Sequence, residues 1–184
     1  MTSCPRLSRK VLEYESVIAY EFNSKSLCAQ ALNTAADAMS VCVLDGSFKQ
    51  MPENDRLAVY GDVAAAAYLC SLWINQDCWT TLRRDLISND NLARVGRGHG
   101  LHKCINMKGG TTRVSSGMVA TAVEAILGAV ENDGGRDALA WVMKHLGLTE
   151  HALLGSVPSQ LPWNSPVTSA CDPRVCLGCL LKKR

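Results

Sequence analysis

The stretch that decides the fold is Asn54–Leu69, N-D-R-L-A-V-Y-G-D-V-A-A-A-A-Y-L. It has no proline, is alanine-rich and apolar on most sides, and carries one acid, Asp62, in its middle. Burying an unpaired carboxylate on so apolar a helix costs on the order of several kcal/mol. Asp62 therefore lines a cleft, meets a cation or holds a proton. A second stretch, Gly117–Val130, repeats the pattern: it is small or apolar throughout except for Glu124. Two apolar helices with one inward acid each can bring the acids together as a metal or acid/base site. The alternative is that each acid caps a neighbouring helix or pairs with a nearby arginine.

Working outward, the spacing of Val11, Leu12, Tyr14, Val17 and Ile18 predicts a helix over Lys10–Tyr20. Ser24 is placed to cap a second helix that runs to about Met39. Asp45-Gly46 and Pro52 mark a loop, and the long helix then spans about Asp55 to Asn75. Trp79–Ile87 is a short helix with Arg83 and Arg84 exposed, and Asn89 or Asp90 caps the next, which ends at Gly96–Gly100. Asp133-Gly134-Gly135 closes the second acid-bearing helix, and Arg136–Leu148 forms the last. No period-2 alternation stands out. The reading is an all-α body with an irregular C-terminal tail: an extension over 1–9, a domain over 10–148 and a Pro/Cys-containing tail over 149–184.

Length and composition fit one domain with a full core: 184 residues, 47% hydrophobic and 20% charged. The apolar runs are broken by Asp62 or Glu124, so no membrane span is expected. The N-terminus lacks an apolar signal segment and has Arg6, Arg9 and Lys10 with no acid before Glu13. That predicts an intracellular protein of cytoplasm or nucleus, with a short mitochondrial targeting segment conceivable. Four basic residues against two acids after Leu148 account for the whole net charge of +2, leaving the body neutral. Nucleic acid, if bound, must meet local patches. Of the nine cysteines, Cys4, Cys28, Cys42, Cys70, Cys78 and Cys104 read as small apolar groups of a reduced compartment. Cys171, Cys176 and Cys179 have spacing that zinc can use with His145, His151 or another cysteine as a fourth ligand, though flexible free thiols are the preferred reading. His99 and His102, in a glycine-rich turn, read as surface or core histidines.

Taken in order, these pieces resemble the ribonuclease III domain. Tyr20-Glu21-Phe22 with Lys25-Ser26-Leu27 is similar to the family's opening "G-Y-x-F-x-x-x-x-L-L". Asp55-Arg56-Leu57-Ala58-Val59-Tyr60-Gly61-Asp62 resembles "E-R-L-E-F-L-G-D". Leu82-Arg83-Arg84, Ser88-Asn89, Leu92-Ala93 and Gly100-Leu101 share the family's spacing, and Glu124-Ala125-Ile126-Leu127-Gly128-Ala129 with Asp133-Gly134-Gly135 resembles "D-x-x-E-A-L-I-G-A-x-x-x-D-G-G". The resemblance implies an all-α homodimer that cleaves double-stranded RNA between subunits, with four carboxylates per site holding divalent metal that activates water.

Two of those acids are replaced. Ala58 stands at the first position of one motif and Thr121 at the first of the other, while Asp62 and Glu124 remain. Asp62 and Glu124 are thus the expected catalytic and Mg²⁺- or Mn²⁺-binding residues, with metal held weakly and cleavage impaired or absent. Arg83, Arg84, Arg94, Arg97 and Lys103 are the candidate RNA-phosphate contacts; an ordinary solvated helix face is the other reading. The resemblance places a large aromatic where Val59 stands, so the dimer interface is expected to lean on Val59, Tyr60 and Trp73. After Leu148, 36 residues follow, about half of what a double-stranded-RNA-binding domain needs. Three functions are open: a pseudo-nuclease that binds structured RNA or pairs with a related nuclease, an active minimal endoribonuclease, and a structural subunit of a ribonucleoprotein particle.

Overall fold

In the computed structural model the described residues are 5–154, apart from 36–39, 45–46, 75–76, 108–110 and 112. The elements in order are α1 (Pro5–Ile18), α2 (Lys25–Ala31), β1 (Val41–Leu44), β2 (Ser47–Gln50), α3 (Asp55–Trp73), α4 (Trp79–Ile87), α5 (Asn89–Gly98), a 3-10 turn (Leu101–Lys103) and α6 (Ser116–His145). The body is helical, as expected. No helix among the described residues is long and apolar enough to cross a membrane.

The two acid-bearing helices form the centre. On α3 the buried residues Leu57, Ala58, Gly61, Ala64, Ala65 and Leu69 repeat at helical spacing and make one face. The opposite side is not covered: Val59 and Val63 are 69% and 61% exposed, and Tyr60 is exposed too. On α6 nearly every residue from Val119 to Val130 is buried. The two helices meet at glycines. A Cβ added to Gly61 would lie 1.8 Å from the Glu124 carbonyl oxygen, and one on Gly128 would lie 2.4 Å from the Leu57 carbonyl oxygen. The absence of side chains there is what allows backbone to touch backbone. On the other flank of α6, Gly96 of α5 sits against Val119 and Val123.

Several expectations need correction. A β-hairpin stands where only a loop was expected, with antiparallel register from Val41↔Gln50 to Leu44↔Ser47. Helix α2 ends at Ala31, well short of Met39, which lies outside the described residues. The buried Asn33 side chain explains the stop. Its Nδ2 is within hydrogen-bond reach of the carbonyls of Ala35, Met51 and Pro52, and its Oδ1 accepts from Asn106 Nδ2. Those backbone groups compete with helix continuation and fix the approach to α3, where Asn54 N–H donates to the Asn33 carbonyl.

Ser24 does not cap α2 with its side chain. Asp133, from α6, instead fixes the chain entering α2: Oδ1 accepts from the Ser24 N–H and Oδ2 from the Asn23 N–H and the Tyr20 hydroxyl, each at 2.8 Å. Burial opposes its charge, but the hydrogen bonds hold the Asp133 carboxyl below its usual range. Helix α5 is capped by Ser88, whose Oγ accepts from Asn91 N–H, and not by Asn89 or Asp90. The α6 chain bends at Gly135 (φ 75°, ψ −170°), a conformation open to glycine, so the closing signal at Asp133-Gly134-Gly135 produces a kink between two helical segments. Cys70 and Cys104 are free thiols and Cys28 is buried, but Cys78 is disulfide-bonded, which departs from the all-thiol expectation.

Candidate functional site

The glycine contact positions the chemistry. Gly61 lies against the backbone of Glu124, and the next residue along α3 is Asp62. The two carboxyls are near enough for the Asp62 charge to act on Glu124. From α4, whose Leu82, Leu86 and Ile87 are buried in the core, Arg83 projects outward to the pair. Its Nη2 donates to both Asp62 oxygens at 3.0 Å. The two acids thus lie near one another, and Asp62 is paired with an arginine, as the alternative reading had it.

Glu124 is half-buried. Burial above all, and then the Asp62 charge, push its carboxyl up to about 7, against the opposing influence of Arg83. The sign of the pH effect follows. The unfolded chain releases this proton near the ordinary value of 4.5, the folded chain only near 7. Between these values the folded state binds more protons, so Glu124 lowers stability as pH rises through that window. Glu124→Gln is expected to raise the melting temperature by a few degrees at pH 8 and to leave it unchanged at pH 4. Melting curves at both pH values check this; an equal offset at both would show that the acid is not held protonated.

The two replaced positions, Ala58 and Thr121, lie in different surroundings. The Ala58 methyl is covered, with the residue only 5% exposed. Thr121 lines a cleft of about 290 Å³ with Thr34, Asn54, Asp55, Thr111 and Met118, and neither Asp62 nor Glu124 is part of that lining. Asp55, at the start of the α3 motif, is the acid in that lining. Among the described residues no group of three or more His, Cys, Asp or Glu side chains gathers to hold a metal ion. Two carboxylates, one already occupied by a guanidinium, do not fit a four-carboxylate metal centre.

The remaining basic candidates lie on α4, α5 and the turn after it. Arg84 is strongly exposed and pairs with Asp85, which His151 also contacts. Arg94 donates to Asn91 within α5, and Lys103 is exposed. Arg97 donates to the Val114 carbonyl and so pins the segment leading into α6. Of the expected interface residues, Val59 and Tyr60 are exposed, but Trp73 packs on Trp79 and its Nε1 donates to the Asp77 carbonyl. Val63 extends the exposed face in its place. Cys171, Cys176 and Cys179 lie outside the described residues. His145 Nε2 contacts the Val17 carbonyl, and both ring nitrogens of His151 have partners.

No protein-family model matches the chain. A curated ribonuclease 3 of Idiomarina loihiensis is 28% identical over 184 residues, covering 94% of this chain and 70% of that protein. The nuclease domain of ribonuclease III from Campylobacter jejuni, described for structural flexibility in the region involved in dimer formation, superposes with a TM-score of 0.56 at 22% identity. The match spans 78% of this chain and 96% of that one. A 2.2 Å crystal structure of the same nuclease domain gives a TM-score of 0.54 at 23% identity, over 80% and 95% of the two chains. The chain thus has the fold of these ribonuclease III nuclease domains and is similar in sequence to a ribonuclease 3.

Proposed function

We propose that this domain grips double-stranded or structured RNA without cutting it efficiently. The observation that carries the reading is the state of the acid pair. Arg83 spans both oxygens of Asp62, and the two other motif positions, Ala58 and Thr121, offer no carboxylate. Cleavage in the family's manner asks for divalent metal on a full set of acids. The residues here make a site closer to neutral, which RNA phosphates approach against less repulsion. Arg84, Arg94 and Lys103 are the further phosphate contacts in this reading, with Arg97 shaping the loop between them.

The exposed face of Val59, Tyr60 and Val63 on α3 serves as the interface with a second copy or with a related nuclease. Such a contiguous apolar patch on a helix facing water favours burial against a partner. Light scattering of the full chain at micromolar concentration is expected to report two chains, and Val59→Asp with Val63→Asp to report one.

A duplex RNA offered to the purified full chain separates the functions. Binding without cleavage in Mg²⁺ or Mn²⁺ is the expected result. Clean endonucleolytic products would instead establish an active minimal nuclease working from Asp62 and Glu124. Co-purification with a ribonucleoprotein particle would identify a structural subunit that uses the same surface.

A further inference from the structure

The guanidinium of Arg83 does more than neutralise an acid. Only Nη2 is engaged, with both Asp62 oxygens at 3.0 Å. Its Nε and Nη1 make no hydrogen bond among the described residues, and the side chain is 46% exposed. Asp62 thus holds the planar group in place by one corner, Nη2, and leaves Nε and Nη1, on different sides of the group, in a side chain that is 46% exposed. The free Nη1 and Nε donors can each give a charge-assisted hydrogen bond to a phosphate oxygen. Fixing that group beforehand removes part of the ordering cost that a free arginine would meet on binding. A divalent ion, by contrast, would have to use the same Asp62 oxygens that Arg83 already occupies. Cation and arginine are competitors for one carboxylate.

We propose that Arg83, tethered by Asp62 beside the α3–α6 glycine contact, is a built-in phosphate receptor that takes the place of a metal ion, so that the domain holds the RNA backbone without divalent cations. The inference rests on the RNA-gripping reading above and names the group that does the gripping. Arg84, one residue along, differs in the feature that matters. It is more exposed, at 69%, and is tied to its neighbour Asp85 at the helix surface and not to the acid pair. It serves as a control for loss of one positive charge.

The test is the affinity of the full chain for a duplex RNA in EDTA and in Mg²⁺. The native chain is expected to bind equally well in both. Arg83→Gln is expected to weaken binding in EDTA about tenfold, the loss of one charge-assisted contact. It also frees Asp62, so Mg²⁺ should recover part of the loss in this variant alone. Arg84→Gln should weaken binding by a smaller factor and show no response to Mg²⁺. In the double variant Asp62→Asn with Arg83→Gln, binding in EDTA should stay as weak as in Arg83→Gln.

Equal losses for the two arginine variants would overturn the proposal, as would recovery of binding in the double variant, which would mean that Arg83 acts only by balancing Asp62. If Arg83→Gln fails to fold by thermal melting, Arg83→Lys decides. It keeps a cation on Asp62 but lacks the separate Nε and Nη1 donors held away from the acid, so unchanged affinity overturns the proposal and a clear loss supports it. Absence of RNA binding by the native chain in either condition is a different failure, because it removes the gripping reading itself.

Discussion

Gly61→Ala should be among the most damaging single substitutions in the chain, lowering the melting temperature by about 10 °C. The added methyl would sit 1.8 Å from the Glu124 carbonyl oxygen and 2.7 Å from the Gly128 nitrogen. Both are backbone atoms of a helix buried on nearly all sides, so no side chain can rotate away and α3 must move off α6. Overpacking of this kind costs about 3 kcal/mol, or more where the obstacle is backbone. Gly128→Ala meets the Leu57 carbonyl oxygen at 2.4 Å and should behave the same way. Because the two glycines share one contact, the double variant should lose less than the sum of the singles. Gly98→Ala is the control. It closes α5, has nothing within 4 Å of an added Cβ, and should be neutral or slightly stabilising. Thermal melting of the four variants checks all of this, and a mild Gly61→Ala would show that the helices are farther apart than their backbones indicate. The same displacement lets water reach Glu124 and carries Asp62 away from it, so any destabilised but folded variant should also show a weaker proton affinity at Glu124.

The central pair of helices was legible because its signal is local and strong. Asn54–Leu69 and Gly117–Val130 are long, apolar and interrupted by one acid each, and that pattern admits few arrangements other than two helices packed together with their acids adjacent. Helix α4 was legible to the residue, from Trp79 to Ile87. The hairpin at Val41–Gln50 was overlooked although Val-Cys-Val-Leu-Asp-Gly-Ser-Phe carries the strongest short hairpin signal, Asp-Gly between apolar runs. Its strands are only four residues each, and the helical periodicity on both sides outweighed them. Other misses lay beyond local reading. That Asp133 holds the entry to α2 depends on a contact 109 residues away in sequence. The early stop of α2 depends on Asn33 finding carbonyls near Pro52 and an amide at Asn106. Arginines near an acid were visible in the sequence, but which of them reaches Asp62 is decided by how α4 packs, through Leu82 and the Trp73–Trp79 contact.

Restoring the missing acids with Ala58→Glu and Thr121→Asp should turn a metal-indifferent fold into a metal-dependent one. The burial of Ala58 sets the first half of the effect. A carboxylate introduced on a covered methyl position, near Asp62 and Glu124, is desolvated and repelled, and without metal the double variant should lose about 2 kcal/mol or more. The acids would then titrate as a cluster, with apparent pKa values belonging to the group and not to single residues. The second half depends on Arg83. While its guanidinium holds both Asp62 oxygens, a divalent ion has to displace it, so the response to Mg²⁺ should be modest in the double variant and larger when Arg83→Gln is added. Metal bound only by the folded state stabilises it by about 2.7 kcal/mol at a hundredfold excess over its dissociation constant, enough to reverse the penalty. The measurement is the melting temperature in EDTA and in Mg²⁺ for the native chain, the double variant and the triple variant, followed by a cleavage assay on duplex RNA. A rise with metal that grows from double to triple variant is the expected order, and Asp62→Asn in the triple background should abolish it. A flat response in all three would mean that α3 and α6 do not present positions 58 and 121 to the Asp62–Glu124 pair. Since Thr121 opens on a cleft that contains neither acid, a response that needs Ala58→Glu but not Thr121→Asp would place the restored metal on the α3 side alone, with Asp62 as its main ligand.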